Sequence, residues 1–241
     1  MSFKGEWYAV LKRFTLAVAM LLCLVLLSGL FVTSEKSANV SAKATQRYTV
    51  IIDAGHGGFD GGAVAPDGTL EKDLNLSVAL KLDSVLKIMG YDTVLVRDTD
   101  VSTADDKGTE RSQKVSDIKA RLRLTEKYKD ALFVSIHMNK YTSPQPHGAQ
   151  VFYSQVDGSK ELAECIQRSI TAGVQTDNKR VVKKTTKDIY LLYHAVIPSV
   201  IAECGFISNP NDLLKLKSDE YQLKMAAAIA AGINDYYFEG Q

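Results

Sequence analysis

The chain has 241 residues, of which 46% are hydrophobic and 24% charged, with a formal net charge of +1. That length and composition support one full hydrophobic core and exclude the disordered and fibrous classes. The near-neutral balance lacks the basic footprint of a nucleic-acid binder, so no nucleic-acid partner is expected.

Residues 14–32 read FTLAVAMLLCLVLLSGLFV without a charge, behind Lys4, Lys12 and Arg13. A positive flank before such a run is an export signal that leaves the N-terminus inside. Its length suits a membrane anchor, which needs about 18 or more apolar residues, and a cleaved signal equally well. The small residues of Ser37–Ala42 read as a cleavage site or a polar tether. The expected division is 1–46 as signal or anchor plus linker, and 47–241 as one working domain, exported and facing the wall side of the membrane.

Tyr48–Ile52 is a short β-branched run closed by Asp53-Ala54-Gly55, the pattern of a buried strand. From Glu71 to Met89, apolar residues recur at Leu74, Val78, Leu82, Val85 and Met89, one stripe of a helix that Gly90 stops. Val94–Val96 reads as a strand, 98–110 as a mobile loop, and Val115, Ile118, Leu122 and Thr125 as the next helix. Leu132–Ile136, Ala149–Tyr153, Ile189–Tyr193 and Val200–Ala202 read as strands, and Glu161–Ile170 and Tyr221–Tyr236 as helices. Strands apolar on both faces, alternating with helices, predict a single α/β domain with a twisted, mostly parallel sheet covered by helices on both faces. Cys23, Cys165 and Cys204 show no metal-ligand spacing and read as small core residues.

In such a sheet ligands bind beyond the carboxyl ends of the strands. The first strand ends in Asp53-Ala54-Gly55-His56, the third in His137-Met138-Asn139, and the late one in Glu203-Cys204-Gly205. Glu71 continues the apolar stripe of its helix, and a carboxylate on a buried face is costly unless paired or bound to metal. Taken alone, it also reads as a first-turn acid that favours the helix dipole. With two histidines delivered to the same rim, His56, Glu71 and His137 become candidate metal ligands. Two imidazoles and one carboxylate leave a fourth position open, the ligand count of a catalytic zinc site. Iron(II) accepts the same set, so zinc is favoured by chemistry without being dictated by it. Glu203 is then the candidate catalytic base. A phosphate-cradling glycine loop is a competing reading of 55–62, but no Gly-Lys-Ser or Gly-Lys-Thr follows it. His147 reads as an exposed loop residue, His194 as a rim residue, and Lys179, Arg180, Lys183, Lys184 and Lys187 as a solvated basic face open to an acidic ligand.

Four segments carry a resemblance: Ile51–Gly58 (IIDAGHGG), Leu70–Asn75 (LEKDLN), Ser135–Asn139 (SIHMN) and Glu203–Pro210 (ECGFISNP). In this order they resemble the zinc-dependent N-acetylmuramoyl-L-alanine amidases of type 3. The resemblance implies an α/β fold, zinc on His56, Glu71 and His137, Glu203 as the catalytic carboxylate, and hydrolysis of the amide joining muramic acid to L-alanine. Its partners would be peptidoglycan glycan strands with their stem peptides. Lys114–Arg121, Gly148–Tyr153 and Leu191–Pro198 are similar to the short sporulation amidases, whose products lead to muramic-δ-lactam of the spore cortex and matter for germination. Cys204 departs from the family pattern, where an apolar residue is usual, and reads as a buried substitute or as a soft atom near the metal. No wall-binding repeat is recognisable, so targeting falls to the tether through the membrane, to the groove, or to an accessory protein for localisation or activation. The alternatives from other classes are an inactive peptidoglycan-binding scaffold and a metal phosphohydrolase.

Overall fold

Each aliphatic run between the turns is buried from two sides, and that burial assembles the sheet. The computed structural model describes residues 48–239. Its strands are β1 (Thr49–Ala54), β2 (Asp92–Leu95), β3 (Ala131–Asn139), β4 (Gln150–Tyr153), β5 (Lys183–Lys184) and β6 (Ser199–Phe206). They lie in the order β2-β1-β3-β6-β4-β5. β2, β1, β3 and β6 are parallel, whereas β4 runs antiparallel to β6 and carries β5 parallel to itself. The helices are α1 (Glu71–Ile88), α2 (Glu110–Lys127), α3 (Ser159–Gly173), α4 (Tyr190–His194), α5 (Pro210–Leu216) and α6 (Asp219–Glu239).

The strand period of two sorts the core into layers. Val50, Ile52, Val134, Ile136, Val200 and Ala202 pack with Leu74, Val78 and Leu82 of α1, Leu162 and Ile166 of α3, and Ile229 of α6. On the other face Ile51, Ala131 and Phe133 meet Leu191 and Ile197, with Ile118 and Leu122 of α2 against them. Full burial of a side chain such as Leu82 contributes about 1.5–3 kcal/mol. Helix ends follow local chemistry: the Thr109 side chain accepts from Ser112 N at the start of α2, and Asn209 caps α5 ahead of Pro210.

Two expectations need correction. Ile189–Tyr193 is no strand; Tyr190–His194 is a helical turn that buries the adjacent Leu191 and Leu192. A five-residue apolar run carries no period long enough to separate the two states. The loop after β2, expected to be mobile, is tied down: Asp100 accepts from Gly58 N and Lys72 Nζ, and Asp117 accepts from Thr103 N. Lys183–Lys184 is exposed, as expected of a solvated face, and forms in addition a two-residue edge strand, where lysines discourage pairing with another sheet. The expected export or anchor segment, with Cys23, lies outside the described residues. Among the described residues no helix is long and apolar enough to cross a membrane.

Candidate metal centre and active site

β1 ends at Ala54, and the chain turns at once through Gly55 into His56, which sits at φ +62°. A histidine tolerates this left-handed conformation only under outside constraint. A Cβ on Gly55 would strike the His137 ring well inside van der Waals contact, so glycine there lets the two imidazoles approach. Their centroids are 5.0 Å apart, with the planes at 73°. His137 belongs to β3, and Glu71 opens α1 on the side where the His56 loop returns.

The three groups converge. One ligand atom each from His56, Glu71 and His137 can be chosen so that all lie within 4.8 Å of one another. Glu71 Oε2 is 3.2 Å from His56 Nε2, and Oε1 is 3.0 Å from His137 Nδ1. The buried carboxylate also accepts from Ala63 N at 2.8 Å, Met138 N at 3.2 Å and Asn75 Nδ2 at 3.3 Å. Burial would raise its pKa, but His137 and His56 beside it hold it well below the usual carboxylate range. His56 Nδ1 is 2.8 Å from Asp60 Oδ2. Burial pulls the His56 pKa down, yet the Asp60 and Glu71 carboxylates prevail and push it up to about 9. An imidazole whose far nitrogen is held by a carboxylate is the common outer arrangement of a metal-binding histidine. The donor set therefore fits a divalent cation: two imidazoles, one carboxylate and an ordered outer partner.

Glu203 stands in β6, beside His137 of β3 in the parallel ladder. Its Oε2 is shielded from solvent and has no hydrogen-bond partner among the described residues. Burial pushes its pKa up to about 7, with His137 drawing it down and Glu71 raising it. Both residues line a cleft of about 290 Å³, whose apolar wall is Ile118, Tyr190, Leu191 and Ile201. Cys204, the next residue along the strand, turns to the opposite face into the core, where burial raises its thiol pKa; it is the buried substitute and no soft neighbour of the site. His147 is exposed, and His194 is exposed at the end of α4, its ring tilted against that of Tyr190 with centroids 4.3 Å apart.

The N-acetylmuramoyl-L-alanine amidase profile matches residues 50–235. The chain belongs to this family. The amidase is 37% identical over 214 residues to the uncharacterised protein YqiI of Bacillus subtilis strain 168, covering 88% of this chain and 95% of that one. It is 34% identical to the germination-specific N-acetylmuramoyl-L-alanine amidase of the same organism, over 79% of this chain and 80% of the relative. Among solved structures, the CwlD amidase of Clostridioides difficile, determined in complex with the GerS lipoprotein, matches with a TM-score of 0.75 and 40% identity, covering 79% of this chain and 98% of that one. Membership makes the protein a peptidoglycan amidase and displaces the phosphohydrolase and inactive-scaffold alternatives.

Sequence reasoning missed the residues beneath the amidase site. Arg121 is buried in α2 and contacts Asp53. It lies between Ile118 and Leu122, so the argument that singled out Glu71, a charge on an apolar stripe, applied to it as well. Arg97 follows β2 with no periodicity to mark it, and Asp60 lies in a glycine-rich loop.

Proposed function

We propose that this amidase is a zinc enzyme that cleaves the amide between the lactyl group of N-acetylmuramic acid and L-alanine, and that it does so in the spore cortex as a step toward muramic-δ-lactam. The observation that carries the zinc reading is the convergence of His56, Glu71 and His137 within 4.8 Å. The relative named germination-specific supports the sporulation role. The reading places residues 1–46 as an export signal or anchor ahead of a catalytic domain 47–241 facing the wall, which the charge-flanked apolar run supports. CwlD in complex with a lipoprotein supports an accessory partner for this amidase too.

His56 Nε2, a Glu71 oxygen and His137 Nδ1 would hold the ion. Zinc, when bound, supplies Lewis acidity toward the scissile carbonyl and toward water. Glu203, which lines the cleft and whose Oε2 has no hydrogen-bond partner among the described residues, takes the proton of the attacking water and returns it to the departing amine. A carboxylate with its pKa raised toward neutrality is suited to both halves of that transfer. Asp60 holds the His56 ring by Nδ1, and Glu71 is itself fixed by two backbone amides. The apolar wall of Ile118, Tyr190 and Leu191 gives the glycan or peptide a dry surface to pack on.

The test is mass spectrometry of peptidoglycan treated with the zinc-loaded full chain. Expected products are muramic acid residues free of stem peptide and new L-alanine amino termini; unchanged stem peptides would refute the cleavage. Cortex from spores lacking the gene is expected to lose muramic-δ-lactam. Unaltered lactam content would remove the sporulation role and leave the amidase chemistry standing.

A further inference from the structure

Three consecutive backbone carbonyls at the end of β1 turn inward onto two buried guanidinium groups. Ala54 O accepts from Arg97 Nε at 2.9 Å and from Arg121 Nη1 at 3.0 Å. Gly55 O accepts from Arg97 Nη2 at 3.0 Å, and His56 O from Arg121 Nη2 at 2.7 Å. Each arginine is 3% exposed. Arg121 is anchored in turn by Asp53 through Nη1 and by Asp117 through Nε at 2.6 Å. Ser135 Oγ donates to the other oxygen of Asp53 at 2.6 Å, tying β3 to the same network. Arg97 Nη2 also reaches Lys72 O at 2.8 Å, on the first turn of α1 next to Glu71.

This arrangement answers a question that the site leaves open: what keeps His56 at φ +62°. A left-handed histidine persists only where its surroundings over-determine it. Holding the His56 carbonyl inward turns its imidazole out to the cleft, where Nε2 meets Glu71. The rigid planar fork of Arg121 grips the carbonyls of Ala54 and His56 and the carboxylates of Asp53 and Asp117 at once, which the single ammonium of a lysine cannot do in that geometry. The neighbouring Asp53 and Asp117 offset the positive charge that would otherwise repel a cation above it.

We propose that Arg121, assisted by Arg97, is a positioning residue for the metal centre: by clamping the carbonyls of Ala54 and His56 it preorganises the His56 loop for the ion. The proposal rests on the zinc reading above. It assigns no contact between either arginine and the substrate.

The test measures zinc affinity of the full chain by chelator competition, together with the visible spectrum of the cobalt-substituted protein and the thermal midpoint. Arg121→Lys keeps a cation beside Asp53 and Asp117 but loses the fork. It is expected to fold cooperatively, to bind zinc about 10- to 100-fold more weakly and to show an altered cobalt spectrum. Because Arg121→Gln alone leaves Asp53 buried without its cation, the neutral pair Arg121→Gln with Asp53→Asn is the second variant, with a comparable loss of affinity expected. Asp83→Asn is the control. Asp83 is a buried acid on the same helix as Glu71, paired with Lys87 at 2.8 Å, and a little over three turns, roughly 18 Å, along from Glu71. It is expected to lower the thermal midpoint while leaving zinc affinity and the cobalt spectrum as in the wild type. Wild-type zinc affinity in both Arg121 variants would overturn the positioning role, and so would a loss no greater than that of Asp83→Asn at matched stability. A wild-type chain that bound no zinc would instead overturn the metal reading itself.

Discussion

Glu203 and His137 are direct neighbours in the parallel ladder of β6 and β3, so both side chains leave the sheet on the same face and enter the same cleft. Strand register therefore sets the spacing between the proposed base and the candidate ligand His137. A one-residue slip would send either side chain to the opposite face.

Glu203→Gln tests the division of labour across that ladder. The amide has the shape of the carboxylate and cannot take a proton. The variant is expected to keep a full zinc complement while turnover falls about 100-fold or more. Zinc content and release of amino termini, measured on one preparation, check both halves. Turnover near the wild-type rate would assign the base elsewhere.

The proposed role of Glu203 as base requires its ionised form, so kcat/KM is expected to fall as pH drops through the pKa of this group. Burial pushes that pKa up to about 7 in the metal-free protein. A nearby cation favours the carboxylate, so the acid limb of the zinc enzyme is expected at or below pH 7. A pH–rate profile of the wild type measures it. An acid limb inflecting well above 7 would belong to another group.

Zinc uptake is expected to release a proton at pH 7.5. Without metal, the His56 pKa lies near 9, held up by Asp60 and Glu71 against its burial, so the ring is doubly protonated at this pH. His56 Nε2 is the atom that would hold the ion, and a ligand nitrogen must be bare. Calorimetric titration in buffers of different ionisation enthalpy should report about one proton per zinc. The same shift carries a stability sign. Its folded value lies above the ordinary imidazole value of 6.5, so it stabilises the metal-free protein fully below about 6.5, and this is lost as pH rises through about 9. Urea midpoints of the chelated protein at pH 6 and pH 9.5, in the same ionic strength, check the direction.

Gly62→Ala is expected to abolish zinc binding while most of the fold survives. The residue sits at φ +68°, and a Cβ there would meet His56 Cδ2 at 2.6 Å and Glu71 Oε2 at 2.7 Å. Two of the three candidate ligands would have to move. Strain at such a position costs about 1–3 kcal/mol, well within the stability of a typical domain. Far-UV circular dichroism and zinc content separate local from global loss. Normal zinc content would show that the ligands relax without penalty.

Much of this protein was legible in its residues. The steps of three and four from Leu74 to Val85 and the β-branched run at Thr49–Ile52 mark their elements, because a half-buried helix and a buried strand each impose a period on hydrophobicity. Glu71 betrayed itself by interrupting an apolar stripe, and His56, His137 and Glu203 by ending strands. What local pattern could not carry was decided by contacts distant in sequence. Tyr190–His194 became a helical turn because Leu191 and Leu192 both find core beneath them. The polar loop after β2 gained order only where Asp117 and Lys72 came to meet it. Arg97 and Arg121, 24 positions apart in the chain, share the carbonyl of Ala54 because the folded sheet brings the end of β2 and the middle of α2 under the same strand end. Hydrophobic periodicity is a property of neighbours along the chain and can be read there; the pairing of buried charges depends on which elements lie side by side, and only the tertiary fold decides that.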